Sequence, residues 1–170
     1  NLTDFRESAT DPTSRVVGSA VVNPDARSAS DAYGHGTFVA GLAAGSDNSK
    51  DGEFRGIAPA AKILNVKVLN DIGTGQTSWL LNGLNWVLTN RTTYNIRVVN
   101  LSLGTTATDS YKNDPVCLKV KELVNAGIVV VVPAEKRRHP DAREHGLRRL
   151  PQDLPEHAAE RGEIIRVSRG

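Results

Sequence analysis

The residue best suited to catalysis in this chain is His35, which lies in the small-residue stretch Asp31–Gly41 (DAYGHGTFVAG). A catalytic imidazole must be held in place, stay partly accessible to solvent and approach a nucleophile without obstruction. Glycine flanks His35 on both sides and a helical pattern follows, so an imidazole on the first helical turn meets these requirements. A histidine near a helix start is more often a cap or a packed side chain, so the assignment depends on the surrounding residues.

The elements that must position His35 alternate between strand and helix patterns. Val-rich and Ile-rich runs predict strands at 15–23, 63–69, 96–103 and 128–132. A run of small residues predicts a helix at 35–45, and periodic apolar residues predict another at 77–89. Asp114-Pro115 predicts the start of a third helix that stops at Gly127. Strand–helix alternation predicts an α/β fold, a doubly wound and mostly parallel sheet.

Three packing expectations follow from the same patterns. The glycines of helix 35–45 predict a tightly packed, buried helix that other backbone approaches closely. The uninterrupted apolar run Ile128–Val132 predicts a parallel strand covered on both faces. The single cysteine, Cys117, excludes an internal disulfide and is expected to be a small buried hydrophobe.

His35–Gly41 (HGTFVAG) is similar to the HGTxVAG motif of the subtilisin-like serine protease (subtilase) family. Five further segments resemble motifs of that family in the same order: Gly56–Pro59 (GVAP), Val66–Leu69 (the following strand), Gly73–Trp79 (GxGxxS), Asn100–Gly104 (NxSLG) and Ala126–Val131 (AGxxVV). The chain is therefore identified as a central fragment of a subtilase, and the resemblance implies an incomplete subtilisin-like fold.

The resemblance implies a role for particular residues. His35 would be the general base of a serine endopeptidase, taking the proton of a serine hydroxyl and later giving it to the leaving amine. Two segments would flank the cleft and pair with an extended substrate as added strands: Gly73, Thr74 and Gly75, and Ser102, Leu103 and Gly104. The family is mostly secreted, acts on polypeptides and requires no cofactor.

Other parts of the family pattern do not occur in these 170 residues. Asp4, Asp11 and Asp25 precede Phe, Pro and Ala, so none forms the D-[ST]-G turn of the family's aspartate, which we expect upstream of Asn1. The oxyanion segment AxGN and the nucleophile motif GTSMA are also absent. We therefore predict that this chain alone does not hydrolyse peptides measurably.

Composition divides the chain near Pro133, into a partial peptidase domain (1–133) and a charged, Arg-rich tail (134–170). The tail carries nine basic and seven acidic residues, and no aromatic residue follows Tyr111. Such a segment buries little apolar surface, which favours disorder. A shifted reading frame is our hypothesis for its origin, and a genuine charged linker or helix is the alternative.

The net charge of the chain and the spacing of its residues limit which partners and ions it is expected to bind. The formal net charge is +2 and the tail offers no aromatic for base stacking, so no nucleic-acid partner is expected. No run of about 18 apolar residues predicts a membrane span, and we expect a monomer. Subtilases often hold structural Ca²⁺, and Asp47, Asn48, Asp51 and Glu53 offer oxygen ligands, but a plain polar loop is favoured and no metal site is predicted.

Two other functions fit parts of the sequence. A degenerate protease domain retained as a peptide-binding module would keep the cleft segments and lack hydrolysis. A nucleotide-binding α/β module would use Gly73-x-Gly75-x-x-Ser78 after a strand, but its third glycine is a serine and no acidic residue occurs between Asp71 and Asp109 to bind a ribose.

Overall fold

The computed structural model describes residues 3–48, 53–104, 109–133 and, as backbone only, 164–168. The strands are β1 (Val16–Val21), β2 (Lys62–Lys67), β3 (Val98–Leu101), β4 (Val129–Val131) and β5 (Ile164–Ser168). The α-helices are α1 (His35–Ala44), α2 (Thr77–Asn90) and α3 (Pro115–Asn125), and a short 3₁₀ helix spans Thr3–Phe5. The seven strands and helices predicted up to residue 132 are therefore present, with ends shifted by a few residues.

The strands form one sheet in the order β1-β2-β5-β3-β4. β1 pairs with β2 and β3 pairs with β4 in parallel, whereas β5 is antiparallel to both of its neighbours, β2 and β3. β1 to β4 therefore all run in the same direction, and their carboxyl ends lie at the same edge of the sheet. The mostly parallel sheet predicted from the sequence is confirmed.

Helices cover both faces of the sheet. On one face, Leu64 and Val66 of β2 join a buried cluster with Leu84 of α2 and Leu123 of α3. On the other face, Ile63 packs with Ala40 and Ala44 of α1 and with Phe5. Alternate β2 side chains thus serve opposite layers, as the two-residue strand period requires, and the fold is doubly wound.

Tertiary packing corrects two of the burial expectations. Helix α1 is buried on one side only, since Phe38 is 65% exposed and Leu42 is 59% exposed. Strand β4 lies at the end of the sheet, where Val129 and Val131 are largely exposed. An apolar run identifies a strand or helix, but the pattern alone does not show whether the neighbouring layer is in the same chain.

The predicted glycine contacts are confirmed at one end of α1. A Cβ on Gly56 would lie 2.7 Å from backbone atoms of Gly41, Ala44 and Gly45, and the Gly56 amide donates to the Gly45 carbonyl at 2.8 Å. Glycine is required there because the two backbones touch. Gly41 differs, since a Cβ at that position would meet nothing within 4 Å.

The third helix begins as predicted. Asp114 precedes Pro115 at the start of α3, and its carboxylate accepts a hydrogen bond from the Cys117 amide at 2.9 Å. Gly127 follows the helix with φ of 82°, a left-handed conformation that suits glycine. Cys117 is exposed, so its predicted burial is wrong. It lies on the solvent side of the first turn, where the apolar stripe of the helix does not reach.

The charged tail lies outside the described residues except for β5. The predicted origin and disorder of residues 134–170 therefore stay predictions. Among the described residues, no helix combines the length and hydropathy needed to cross a lipid bilayer.

Candidate active site

His35 is the first residue of α1, the helix that follows β1. In a parallel α/β sheet, the helix after a strand begins beyond the carboxyl end of that strand, which is where such folds place their ligands. The imidazole is half-buried and thus keeps the partial accessibility that general-base chemistry needs. The structure therefore locates His35 at the edge of the sheet that a catalytic group would occupy.

The first turn of α1 is held by a carboxylate from the preceding loop. The N-cap residue, Gly34, has φ of 90° and no side chain with which to cap the helix. Asp31 takes over this function, because one of its oxygens accepts from the Gly34 amide at 2.8 Å and the other from the Thr37 amide at 2.6 Å. Both bonds fix the backbone from which the imidazole extends, so Asp31 is a positioning residue for His35.

The loop that carries Asp31 is also tied to the sheet. The Asn65 side chain, on β2, donates to the Ala29 carbonyl at 2.8 Å. The Val22 amide, just after β1, donates to the Lys67 carbonyl at 3.1 Å. The position of α1 over the sheet is therefore set by polar contacts as well as by its buried alanines.

The predicted substrate segment at 73–75 lies against the His35 loop. Gly73 is buried with φ of 77°, and a Cβ on it would lie 3.2 Å from ring atoms of Tyr33. Tyr33 precedes His35 by two residues, so this contact brings the histidine loop and the glycine segment together. Thr74 and Gly75 are exposed, although the Thr74 amide and carbonyl both form hydrogen bonds with Asn70.

The turn that presents this segment is organised by Asn70. Its side-chain oxygen accepts from the amides of Ile72 (3.1 Å) and Thr74 (3.0 Å), and its side-chain nitrogen donates to the Thr74 hydroxyl at 2.8 Å. The Asn70 backbone amide also donates to the Thr74 carbonyl at 2.8 Å. Asparagine favours such turns because its side chain imitates a backbone group.

The second predicted segment leaves the sheet directly after β3. Ser102 and Leu103 are half-buried and Gly104 is exposed. The Asn100 side chain donates to the Ser102 hydroxyl at 2.8 Å, which fixes the exit from the strand. Because β2 and β3 run in the same direction, this segment and residues 73–75 both leave the sheet at its carboxyl edge.

Asp31 and Asn70 received no role from sequence reasoning. Each could have been found by the same signal, an Asp or Asn placed three residues before a glycine that needs positive φ. Both Gly34 and Gly73 have that conformation. The sequence marks the two turns by their glycines, and the side chains that hold the turns precede them.

The candidate calcium loop uses its polar groups internally. Asp47 is buried and accepts from the Phe54 amide at 2.7 Å, while Asn48 donates to the carbonyls of Thr3 (3.2 Å) and Arg6 (3.3 Å). Glu53 is exposed, and Asp51 lies outside the described residues. In the part of the chain that the structure describes, no group of three or more His, Cys, Asp or Glu side chains is arranged to hold a metal ion.

The chemistry available at this edge is that of an imidazole beside exposed backbone. A half-buried histidine on a fixed helix turn can move a proton, and two backbone segments at the same edge can pair with an extended chain.

Comparison with known proteins agrees with this geometry. Residues 2–137 match the family model described as the subtilase family, Peptidase S8. Subtilisin E of Bacillus subtilis is 37% identical over 118 residues, 69% of this chain and 28% of the relative. Serine protease AprX of Bacillus subtilis is 36% identical over 129 residues, 71% of this chain and 28% of the relative. Subtilisin of Bacillus pumilus is 36% identical over 118 residues, 69% of this chain and 39% of the relative.

The chain thus spans between 28% and 39% of the length of these relatives. The family match includes all seven of the proposed site residues, His35, Gly73, Thr74, Gly75, Ser102, Leu103 and Gly104. On the motifs, the doubly wound sheet and the family match together, this chain belongs to the subtilase family of serine peptidases.

Proposed function

We propose that this chain is the histidine-bearing part of a subtilisin-like serine endopeptidase, with His35 as the general base. The observation that carries the proposal is the position of His35 on the Asp31-held first turn of α1, next to the loop packed on Gly73. A general base must keep its place while a proton moves to it and away again. The two hydrogen bonds from Asp31 give the helix turn that rigidity.

The substrate proposed for this site is an extended polypeptide. The backbone of Gly73, Thr74 and Gly75 would pair with one edge of the substrate, and that of Ser102, Leu103 and Gly104 with the other. Main-chain pairing of this kind supplies affinity with little dependence on sequence. The exposed positions of Gly75 and Gly104 support this assignment. Pairing at Thr74 would require its backbone to exchange its hydrogen bonds with Asn70 for bonds to the substrate.

We further propose that the 170-residue chain alone is inactive, because its sequence contains no D-[ST]-G, AxGN or GTSMA motif. In subtilisin itself, loss of one oxyanion donor lowers kcat about 10²–10³-fold. Loss of triad members there leaves only about 10³–10⁴-fold over water. If the same magnitudes apply to this chain, the two losses together bring the expected rate of peptide hydrolysis to about that of the uncatalysed reaction.

We also propose the cellular compartment in which this function is carried out. We assign the function to the outside of the cell, on the resemblance to secreted subtilases. One relative, 36% identical over 121 residues, is named the Major intracellular serine protease, so secretion does not follow from family membership alone.

The test is an assay of purified 170-residue protein against a fluorogenic peptide and casein, with phenylmethylsulfonyl fluoride as the serine-protease inhibitor. We expect no hydrolysis above buffer. Hydrolysis that the inhibitor abolishes and that His35→Ala removes would show that the chain is a complete enzyme. Hydrolysis unaffected by His35→Ala would show a contaminant.

A second measurement tests the assigned roles. Equilibrium dialysis with a labelled, uncharged hexapeptide should show weak retention by the chain. Gly75→Pro should reduce retention relative to Gly75→Ala, because both variants place a Cβ against Leu69 and only proline removes the backbone donor. Binding without hydrolysis under all conditions, including conditions that supply the missing protease segments, would instead favour a peptide-binding module.

A further inference from the structure

Strand β5 occupies the gap between β2 and β3 and pairs along both of its own edges. One edge of β5 pairs with residues 62–66 of β2, and the other pairs Ile164 and Ile165 with Leu101 and Asn100 of β3. While β5 is in place, the facing edges of β2 and β3 therefore cannot pair at these positions with another polypeptide. We call the gap between β2 and β3 the strand site.

The strand site has the width of a single strand. Neighbouring strands lie about 4.8 Å apart, so one strand between β2 and β3 separates them by about 10 Å. Leu64, Val66 and Leu101, on the strands that border the site, are buried. An empty site would expose apolar core and leave backbone groups of β2 and β3 without partners, and both changes cost free energy. The site therefore favours occupation by one extended segment.

The sequence of β5 suits this site but does not make β5 its sole possible occupant. Residues 164–168 read IIRVS, in which Ile164, Ile165 and Val167 are β-branched and favour strands. The pairing between β5 and its neighbours is made by backbone groups, which every polypeptide carries. Another extended segment rich in β-branched residues can therefore make the same kind of pairing.

β5 can leave the sheet without breaking the connections between the other elements. β1, α1 and β2 form one strand–helix–strand unit, β3, α3 and β4 form another, and β5 follows both in the chain. Its covalent attachment favours β5 over a free competitor, because a tethered segment acts at an effective concentration that reaches about 1 mM for short flexible linkers. A free segment at a much lower concentration is thus excluded as long as β5 can pair.

β5 begins at the edge of the sheet that carries the candidate active site. Ile164 pairs with Val66 and with Leu101, near the carboxyl ends of β2 and β3. Helix α1, whose first residue is His35, lies against β5. We propose that the strand site accepts one extended, β-branched polypeptide segment, and that residues 164–168 occupy it as an intrinsic inhibitor of strand addition by other polypeptides. This inference does not depend on the proposed peptidase role.

The experiment uses the full 170-residue chain and a fluorescent peptide with the sequence of residues 162–170 (GEIIRVSRG). Ile165→Pro disables β5, because residue 165 is paired on both sides and proline cannot donate to a ladder. Ile165→Val is the matched control, since valine keeps the amide and the strand propensity. Fluorescence anisotropy of the peptide measures binding to each chain. We expect folded Ile165→Pro to bind the peptide at least tenfold more tightly than the wild type and Ile165→Val.

A second form of the chain tests the site without any change in β5. Residues 150–156 are replaced by the recognition site of a sequence-specific protease, and the chain is cut there. The cut chain is refolded from urea with excess labelled peptide and separated by size exclusion. Because β5 is no longer tethered, we expect the labelled peptide to elute with the large fragment. If circular dichroism shows that Ile165→Pro does not fold, the cut chain decides the question.

Equal binding of the peptide by wild type and folded Ile165→Pro would overturn the proposal, and so would failure of the cut chain to retain the peptide. A peptide with the same residues in scrambled order is the specificity control. Equal retention of the scrambled peptide would also overturn the proposal, because the site would then be a general apolar surface. None of these measurements reads hydrolysis, so their outcome is independent of the peptidase assay.

Discussion

The ring of Tyr33 lies against Gly73 so closely that a Cβ on Gly73 would be 3.2 Å from it. This contact joins the loop before His35 to the turn that presents Thr74 and Gly75. It explains why glycine is needed at position 73 on two grounds, the positive φ of the backbone and the space taken by the ring. The two grounds can be separated by substitution.

Gly73→Ala should destabilise the chain by about 2 kcal/mol, since it adds ring crowding to the cost of a left-handed alanine, which is about 1–2 kcal/mol. Gly34→Ala is the matched control, because Gly34 also has positive φ but has nothing within 4 Å of its Cβ position. Urea unfolding followed by the fluorescence of Trp79 and Trp86 measures both. Equal costs for the two variants would show that the Tyr33 ring moves freely.

Asp31→Ala should cost about 1–2 kcal/mol, because it removes the acceptor of two amides at the start of α1. Asp25→Ala, on an exposed turn, should change stability by less than about 0.5 kcal/mol. Amide hydrogen exchange at Gly34 and Thr37 gives a local measurement. Unchanged exchange at both amides in Asp31→Ala would contradict the positioning role of this carboxylate.

Arg15 holds the N-terminal segment by its guanidinium group. This buried side chain donates to the carbonyls of Arg6 (3.0 Å), Ala61 (3.0 Å) and Asp4 (2.5 Å), and burial lowers its pKa. Arg15→Met should destabilise the chain by about 3 kcal/mol, because three carbonyl acceptors, one in a buried and two in part-buried hydrogen bonds, lose a charged donor.

The control for Arg15→Met is Arg91→Ala, where an exposed guanidinium donates to the Leu88 carbonyl at 3.0 Å. Its expected cost is below about 0.5 kcal/mol. Both variants are compared by the midpoint of urea unfolding. A similar midpoint for the two would mean that water replaces the Arg15 bonds without cost.

Cys117 should react slowly despite its exposure. Partial desolvation raises the pKa of its thiol, and the charge of Asp114 and a hydrogen bond to it raise the pKa further. A raised thiol pKa means less thiolate at a given pH, so the rate of alkylation by iodoacetamide should rise with pH at a higher midpoint than in urea-unfolded chain. Asp114→Asn should lower that midpoint. If the folded wild-type chain has the same midpoint as the urea-unfolded chain, the effect is refuted.

The exposed valines of β4 should make the chain prone to association. Val129 and Val131 are on one face of a strand at the end of the sheet, and uncharged edge strands pair readily with other chains. Val131→Lys should raise the concentration at which light scattering begins, by several-fold. Leu118→Lys, an equally exposed apolar site on α3, should leave that threshold unchanged if edge pairing is the cause.

Local patterns were sufficient to predict most of the elements. The apolar run of β2, the Asp114-Pro115 start of α3 and the glycine stop at Gly127 each depend on neighbouring residues only, and each is confirmed. The edge shared by the two cleft segments became evident only from the strand pairing in the structure. The family resemblance assigned the roles, which the fold alone does not contain.

Features that depend on distant parts of the chain were not predicted. The exposure of Phe38 and Val131 depends on which layer covers them, and residue type does not carry that information. The strand β5 comes from a segment whose charge pattern predicted no ordered element. Asp31 and Asn70 were missed because many loops contain Asp or Asn, and only coordinates show which of them bonds to the backbone.

Strand β5 has a consequence for the order of events when the protein is made. It pairs Lys62 with Ser168 and Leu101 with Ile164, so it joins the β1-β2 pair to the β3-β4 pair. The two halves of the sheet cannot be bridged until residues 164–168 have left the ribosome. Contacts this distant in sequence also slow the search for the native state. Chains that stop before residue 164 should therefore lack the strand that lies between β2 and β3.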